Sequence, residues 1–224
     1  MFLNRVPRLV VLMATLSSLW FKAAEAGDFK ASILGGYNGG GGFRGTVMVS
    51  KFAQGFPLAL EAGLGYSWRD GGDPLAARHI FINDNTNGTP EESAWVWDVR
   101  LDFLYKVSLL GLRDAHLFAG PRFSMFTADF IYVGGNEDFE VTSNQWGIGL
   151  GAKATFPMSQ RLGFTVLAGF DYFFSATLEG HDTSYSPDGT SVNGRENFTY
   201  SDADAAINQP KFQPVLMLGL SLGL

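Results

Sequence analysis

Apolar side chains occupy every second position at the end of the chain. Leu216, Leu218, Leu220, Leu222 and Leu224 share one parity, and the residues between them are methionine, glycine, serine and glycine. Successive side chains of a β-strand point to opposite faces. This segment is therefore predicted to be a strand with one wholly apolar face.

The same alternation recurs upstream. It is clearest where Trp95, Trp97 and Val99 alternate with Asp98 and Arg100, a sorting that no helix produces. Glycine-rich or polar segments separate the alternating segments, as turns and loops separate strands. The pattern predicts eight strands, at residues 28–37, 43–52, 57–68, 94–108, 116–132, 144–157, 161–178 and 212–224.

The second parity of these strands carries glycine, serine and scattered charges rather than the residues of a solvated sheet face. A narrow lumen needs small residues, and a membrane barrel alternates apolar-out with polar-in. We therefore predict an all-β fold, an eight-stranded antiparallel up-and-down transmembrane β-barrel. The alternative is a soluble ligand-binding barrel of the lipocalin or avidin type. Such a barrel keeps its large apolar residues inside, and glycine on its outer face would weaken the strands.

The N-terminus predicts export. Arg5 and Arg8 precede an apolar stretch at residues 9–21, and a small-x-small cleavage site ends at Ala26. An inner-membrane anchor needs about 20 apolar residues, and this stretch is shorter. Residues 1–26 are thus predicted to be a secretory signal peptide, and residues 27–224 the barrel domain. The chain has no cysteine, so a lipidated N-terminus and disulfide bonds are not expected.

Connection lengths predict the orientation. Long connections follow the third, fifth and seventh strands, at residues 69–93, 133–143 and 179–210. Outer-membrane barrels have short periplasmic turns and long extracellular loops, so both termini are expected in the periplasm of a bacterial outer membrane. Aromatic residues at the loop-side strand ends should form a girdle at the outer lipid boundary. This outer aromatic girdle comprises Tyr37, Tyr66, Trp68, Trp95, Trp97, Trp146 and Tyr172.

Charged residues of both signs lie on the parity assigned to the lumen. In a narrow interior, ions persist only when they are paired or hydrated. One interpretation is a plug of salt bridges, and the other is a gate or a selective narrow pore. Counting positions from the turn between the fourth and fifth strands places Asp102 level with Arg122, so these two are expected to pair. The predicted lumen charge network comprises Lys30, Glu61, Asp98, Arg100, Asp102, Arg122, Lys153 and Asp171.

Acidic residues outnumber basic residues in all three long loops, and the whole chain has a formal net charge of -6. This balance argues against nucleic acid as a partner. The loops could be merely solvated, bind divalent cations that bridge lipopolysaccharide phosphates, or present a surface to a ligand. Residues 179–210 are rich in glycine, serine, aspartate and asparagine. We expect them to be mobile and to have little apolar surface to bury.

Catalytic and metal sites have weak support in the sequence. An enzyme acting on lipid A would need a serine or histidine near the outer rim with a carboxylate partner. The string from His181 to Ser184 has suitable residue types, but four adjacent loop residues rarely form a triad. Asp202 and Asp204 lack the surrounding ligands of a calcium site. We predict no enzymatic activity, no cofactor and no metal.

With its export signal, eight alternating segments and closing strand, the chain resembles the OmpA/OmpX-type family of small outer-membrane β-barrels over essentially the whole mature sequence. The resemblance implies contact with outer-membrane lipid and lipopolysaccharide. It also implies recognition by the barrel-insertion machinery through the closing strand, which begins at Phe212 and ends at Leu224. Leu224 stands where the family usually has an aromatic residue, which predicts weaker recognition. The peptidoglycan-binding domain of the longer relatives is not expected.

A fold of this kind does not determine a function. We expect a structural or surface-interaction role with a plugged lumen. A narrow pore for small solutes or ions is the alternative, and a lipid A-modifying enzyme is a third interpretation.

Overall fold

A computed structural model describes residues 28–53, 55–109 and 112–224. The predicted signal peptide lies outside these residues. The strands are β1 (Asp28–Asn38), β2 (Gly41–Ser50), β3 (Leu58–Arg69), β4 (Thr89–Leu109), β5 (Leu112–Val133), β6 (Glu137–Pro157), β7 (Leu162–Phe173), β8 (Leu178–Glu179), β9 (Ser184–Tyr185), β10 (Ser191–Val192) and β11 (Phe212–Gly223). The helices are α1 (Pro74–Phe81) and α2 (Tyr200–Ala206). Neither described helix is long and apolar enough to cross a membrane.

Strands β1 to β7 pair in sequence order, and β11 closes the sheet between β7 and β1. All of these pairings are antiparallel. Ser221 of β11, for example, lies opposite Ser32 of β1 on one side and Gly163 of β7 on the other. The chain therefore forms a closed eight-stranded antiparallel barrel, and this part of the fold prediction is confirmed. Closure leaves these strands no free edge within the barrel.

Large apolar side chains cover the outer face of the barrel. On β4, Leu101 and Phe103 are 41% and 45% exposed, whereas the intervening Asp102 is 2% exposed. The alternation predicted from the sequence therefore points apolar residues outward and charged residues inward. A soluble protein shows the inverse arrangement.

Strands β4, β5 and β6 have 21, 22 and 21 residues, about twice the length of the other barrel strands. They project beyond the barrel at the end that carries the long connections, which we call the long-loop end; the opposite end is the short-turn end. The strand starts predicted at residues 94 and 144 are therefore wrong, because β4 begins at Thr89 and β6 at Glu137. Residues 133–143, predicted to be a loop, comprise the last residue of β5, the tight turn between β5 and β6 and the first seven residues of β6. Strand β7 ends at Phe173, short of the predicted residue 178.

The projecting parts of β4 to β6, together with α1, α2 and β8 to β10, form a cap over the long-loop end. The inner face of these strands becomes apolar above the barrel and packs against the helices, burying a separate hydrophobic core. This cap core comprises Ala77, Ile80, Phe81, Ala94, Val96, Phe126, Ala128, Phe130, Tyr132, Phe139, Val141, Leu178, Tyr185, Ala203, Ala206 and Ile207.

The expectation that residues 179–210 have little apolar surface to bury is wrong. Tyr185 and Ile207 are each 1% exposed in the cap core. The Tyr185 hydroxyl donates to the Ile80 carbonyl at 3.0 Å, and Asp73 N–H donates to the Ala206 carbonyl at 2.8 Å. These contacts hold the loop against α1. Because its apolar residues are isolated among polar ones, no periodicity marks them in the sequence.

The inside of the barrel is layered along its axis. The inner face of β4 runs from Val96 in the cap core through charged residues to Leu104. Leu104 belongs to a second buried cluster, the lumen apolar layer, which also contains Leu34, Met48, Ala59, Phe118, Leu167, Val215 and Met217. The charged residues of β4 thus lie between two apolar layers.

Candidate functional site in the lumen

Ion pairs cross the lumen between the two apolar layers. Asp171 of β7 accepts from Arg100 Nη2 of β4 at 2.7 Å and from Arg122 Nε of β5 at 2.8 Å. Arg100 Nη2 lies 3.0 Å from Asp98 Oδ1, and Arg122 Nη2 lies 2.8 Å from Asp102 Oδ1. Since β6 lies between β5 and β7, and β4 is one strand further away, these contacts span the interior. The pair expected from the depth count, Asp102 with Arg122, is part of this network.

A third arginine, which was not among the predicted lumen residues, extends the network. Arg44 of β2 is 0% exposed, and its Nη2 donates to Asn38 Oδ1 at 3.0 Å and lies 4.0 Å from Asp98 Oδ1. Asn38 in turn donates to Asp98 Oδ2 at 3.0 Å. The neighbouring Phe43 is exposed on the outer face. Strict alternation from Phe43 would have placed Arg44 in the lumen.

Two further ion pairs lie closer to the short-turn end. Lys153 of β6 pairs with Glu61 of β3 across the lumen, and both side chains are buried. Lys30 of β1 pairs with Asp114 of β5 at 2.5 Å, and both are partly exposed. The structure therefore places Lys30 at the mouth of the barrel, apart from the Arg–Asp network. Within the buried interior, each of the arginines and Lys153 is matched by an acidic residue.

Glycine residues on the inner faces of β3 and β6 provide the space that the network occupies. A Cβ at Gly65 would overlap with the Asp98 carboxylate, and one at Gly63 would crowd Arg100. A Cβ at Gly149 would overlap with Asp171 Oδ1. An eight-stranded lumen is just wide enough for side chains to fill it. The glycines therefore explain how long charged side chains fit inside.

The residues predicted for the outer aromatic girdle lie on the outward parity near the long-loop end. Tyr37, Trp68, Trp97, Trp146 and Tyr172 are exposed, and Tyr66 and Trp95 are half-buried. The Tyr66 ring centroid lies 4.9 Å from that of Trp97 and 5.1 Å from that of Trp68. Phe43 and Phe212 are exposed members of the same band that were not predicted from the sequence.

An arginine on α1 connects the helix to the tips of β5 and β6. Arg78 is fully buried, pairs with Glu137, and stacks over the Tyr132 ring at 4.0 Å. It also donates to the Asn87 carbonyl at 2.8 Å. Hydrogen bonds from Arg78 and Asn83 lower the pKa of Glu137 to about 2. This carboxylate therefore stays ionised at pH values well below those at which a glutamate is ordinarily protonated, and it connects the helix to the hairpin of β5 and β6.

Of the residues considered for catalysis and metal binding, Thr183, Asp202 and Asp204 have structural roles in the cap. The Thr183 hydroxyl donates to the Phe81 carbonyl at 3.3 Å, while His181 and Asp182 are exposed. Asp202 accepts from Thr199 at the start of α2, and Asp204 lies 2.9 Å from Lys211. Among residues 28–53, 55–109 and 112–224, no group of three or more histidine or acidic side chains is arranged to hold a metal ion.

No protein-family model matches the chain, and no characterised protein sequence matches it. Among solved structures, a major outer membrane protein from Thermus thermophilus is similar, with 24% identity and a TM-score of 0.71 over 89% of this chain and 100% of that one. CarO from Acinetobacter baumannii has 15% identity and a TM-score of 0.44, covering 88% of this chain and 97% of CarO. Neisserial surface protein A (NspA) has 10% identity and a TM-score of 0.37, covering 88% of this chain and 96% of NspA.

The similarity to the Thermus protein supports a shared barrel fold. The class of protein defined by the fold is thus the closed eight-stranded antiparallel β-barrel. Membership of the OmpA/OmpX-type family stays a prediction.

Proposed function

We propose that this protein is an integral β-barrel of a bacterial outer membrane with a non-enzymatic, structural or surface-interaction role. Its lumen is plugged, its short-turn end and both termini face the periplasm, and its cap lies outside the cell. The observation that carries this proposal is the balanced ion-pair network enclosed between the cap core and the lumen apolar layer.

The outer face of the barrel supports membrane residence. Exposed apolar side chains continue around it on every strand pair, including Leu64, Val99, Leu150 and Leu218. Soluble monomers rarely expose so large a contiguous apolar surface. Exposed aromatic residues border this surface toward the long-loop end, and Tyr105, Phe156 and Phe164 border it toward the short-turn end. Aromatic girdles of this kind mark the two lipid boundaries of membrane barrels.

The contents of the lumen support a plug. A solute moving along the axis would have to displace the lumen apolar layer, the Glu61–Lys153 pair and the Arg–Asp network. Breaking a buried ion pair costs about 3–5 kcal/mol when one charge is left without a partner. The cap then covers the long-loop end. Interaction with surface ligands or lipopolysaccharide is accordingly assigned to the cap rather than to the lumen.

Planar-bilayer recording of the refolded protein tests the plug. We expect no discrete conductance steps under conditions in which a conventional porin, the positive control, conducts. Stable conductance steps that change in Arg100→Ala or Arg122→Ala would contradict a plugged lumen and favour the narrow pore.

Cysteine labelling tests the orientation, because the chain has no cysteine of its own. Val192 in the cap and Met158 in the turn between β6 and β7 are both 61% exposed, so they form a matched pair. In intact cells, a membrane-impermeant maleimide should label Val192→Cys, and it should label Met158→Cys only after the outer membrane is permeabilised. The reverse result would contradict the proposed orientation.

A further inference from the structure

A cavity of about 510 Å³ opens at the short-turn end of the barrel. Its floor is formed by Met48, Ala59 and Leu104, which belong to the lumen apolar layer. Beyond this floor, on the side facing the long-loop end, the Glu61–Lys153 pair crosses the lumen. The cavity is therefore a blind cup rather than the entrance of a channel. Its volume lies in the range of small-molecule sites.

The rim of this cup carries four cationic side chains, of which two are neutralised. Lys30 pairs with Asp114, and Lys51 lies 2.7 Å from Asp28. The other two are Lys106 of β4 and Arg161, which directly precedes β7.

Among the described residues, neither Lys106 nor Arg161 has an ion-pair partner. Both are on the lumen parity, since Lys106 lies opposite the buried His116 and Arg161 lies two positions before the buried Gly163. The buried interior of the barrel pairs its charges, whereas at the mouth Lys106 and Arg161 have no acidic side chain within ion-pair distance among the described residues. Cations gathered in a concave site with low-dielectric walls attract anions.

We propose that this cup binds an amphipathic organic anion that enters from the aqueous side. Its carboxylate is held by Lys106 and Arg161, and its alkyl chain lies against Met48, Ala59 and Leu104. A guanidinium group suits this role because it can bind a carboxylate through two parallel hydrogen bonds. The apolar floor distinguishes this site from a simple anion site, because burying an alkyl chain against the floor increases the affinity for the anion.

Methionine-methyl NMR of the protein in nanodiscs tests the proposal, with octanoate as the probe. Met48 reports on the cup, whereas Met125 on the outer face and Met158 in a turn report on lipid partitioning and on solvent. Octanoate should shift the Met48 signal saturably and leave Met125 unchanged. Replacing Lys106→Gln and Arg161→Gln together should raise the apparent Kd at least about tenfold. Lys211→Gln, at the opposite end of the barrel, is the matched control and should leave the Kd unchanged.

Both rim residues are exposed, so the variants should refold, and the two single variants provide an independent reading. If octylammonium or octanol shifted the Met48 signal with the same affinity as octanoate, the claim that Lys106 and Arg161 recognise a negative charge would be wrong. If acetate bound as tightly as octanoate, the claim that the apolar floor binds the alkyl chain would be wrong. Equal shifts at Met125 and Met48 would show lipid partitioning in place of a site. An unchanged Kd in the double variant would likewise refute the proposal.

Discussion

At the scale of single residues, Asp171 has a distinct position in the lumen network. Its two carboxylate oxygens bind different arginines, Arg100 through Oδ2 and Arg122 through Oδ1. Asp102, by contrast, is paired with Arg122. Loss of the charge on Asp171 would leave two buried guanidinium groups poorly neutralised, whereas loss of the charge on Asp102 would affect one.

We therefore expect Asp171→Asn to destabilise the barrel more than Asp102→Asn, a change of the same shape. Breaking a dry buried pair costs about 3–5 kcal/mol, and a hydrated one costs less. Urea unfolding in micelles measures both free energies. A double-mutant cycle on Asp102→Asn and Arg122→Gln should give a coupling above about 0.5 kcal/mol. Equal losses for the two aspartate variants, or additive effects in the cycle, would show that the plug does not depend on these contacts.

Two glycines provide a matched test of the tight lumen. A methyl group at Gly149 would meet Asp171 and Arg122, whereas one at Gly45, also in a strand, would meet no described atom within 4 Å. Gly149→Ala should destabilise the barrel by about 1–3 kcal/mol, as overpacking does. Gly45→Ala should be neutral or slightly stabilising, because it restricts the unfolded chain. Comparable unfolding midpoints for the two variants would show that the lumen around Gly149 is not tightly packed.

At the scale of elements, the sequence predicted the strand segments whose outer face is apolar and failed where the outer face becomes polar. From Trp95 to Tyr105 the alternation is clear because every outward position is apolar, as the outer face of a membrane barrel requires. Beyond the girdle, the outward positions of β6 carry Asp138 and Glu140, so residues 137–143 resembled a loop. The remaining signal was on the inner face, where Phe139 and Val141 pack into the cap core.

The candidate site was predictable to the extent that parity was clear. On β3, β4 and β6, alternation with apolar neighbours placed Glu61, Asp98 and Lys153 inside, and the structure brings each of them into an ion pair. Arg44 was missed because glycine interrupts the apolar parity of β2. The cap was not predictable from periodicity, since Arg78 and Tyr185 act through partners distant in sequence.

The junction between α1 and β6 should be sensitive to acid. The pKa of Glu137 falls from its ordinary 4.5 to about 2 on folding, because Arg78 and Asn83 bind the ionised form. The stabilisation is therefore fully present above about pH 4.5 and is lost as the pH falls toward 2. Glu137 begins β6, ten positions before the segment that pairs with β7, so this effect belongs to the cap.

Hydrogen exchange at α1 between pH 6 and pH 2.5 measures this effect. Protection should decrease across that interval in the native protein. It should be lower at pH 6 in Glu137→Gln and should change less with pH in that variant. Asp84, whose pKa is lowered by Arg195, contributes in the same direction, and the difference between the two proteins isolates Glu137. An identical pH profile for both would exclude the Arg78–Glu137 contact as the cause.

At the scale of the whole molecule, the protein consists of two structures joined by three long strands. The barrel is closed by β1 to β7 and β11 and presents apolar residues outward, whereas the cap buries its apolar residues in a core of its own. If the barrel lies in a membrane, as proposed, the two depend on different surroundings, lipid for the barrel and water for the cap. Damage to one should spare the other.

Replacing residues 179–210 with a tight turn should therefore unfold the cap and spare the barrel. The change removes Tyr185 and Ile207 and exposes their partners in the cap core, including Phe81 and Phe130. Truncating large core residues typically costs about 2–5 kcal/mol each, so the remaining cap should become sensitive to protease. Heat-modifiable migration on gels should persist, because closure depends on the eight strands. Leu150→Arg is the opposite control, since a charge on the lipid face costs about 2–4 kcal/mol and should impair barrel insertion with the cap sequence intact.

If the cap carries the surface role, binding to cells, matrix or lipopolysaccharide should fall in the shortened variant, and planar bilayers containing that variant should still show no conductance steps. Unchanged binding, together with permeability that responds to Arg100→Ala or Arg122→Ala, would instead assign the function to the lumen. Loss of heat-modifiable migration in the shortened variant would show that cap and barrel fold as one unit, because the eight strands that close the barrel remain in that variant.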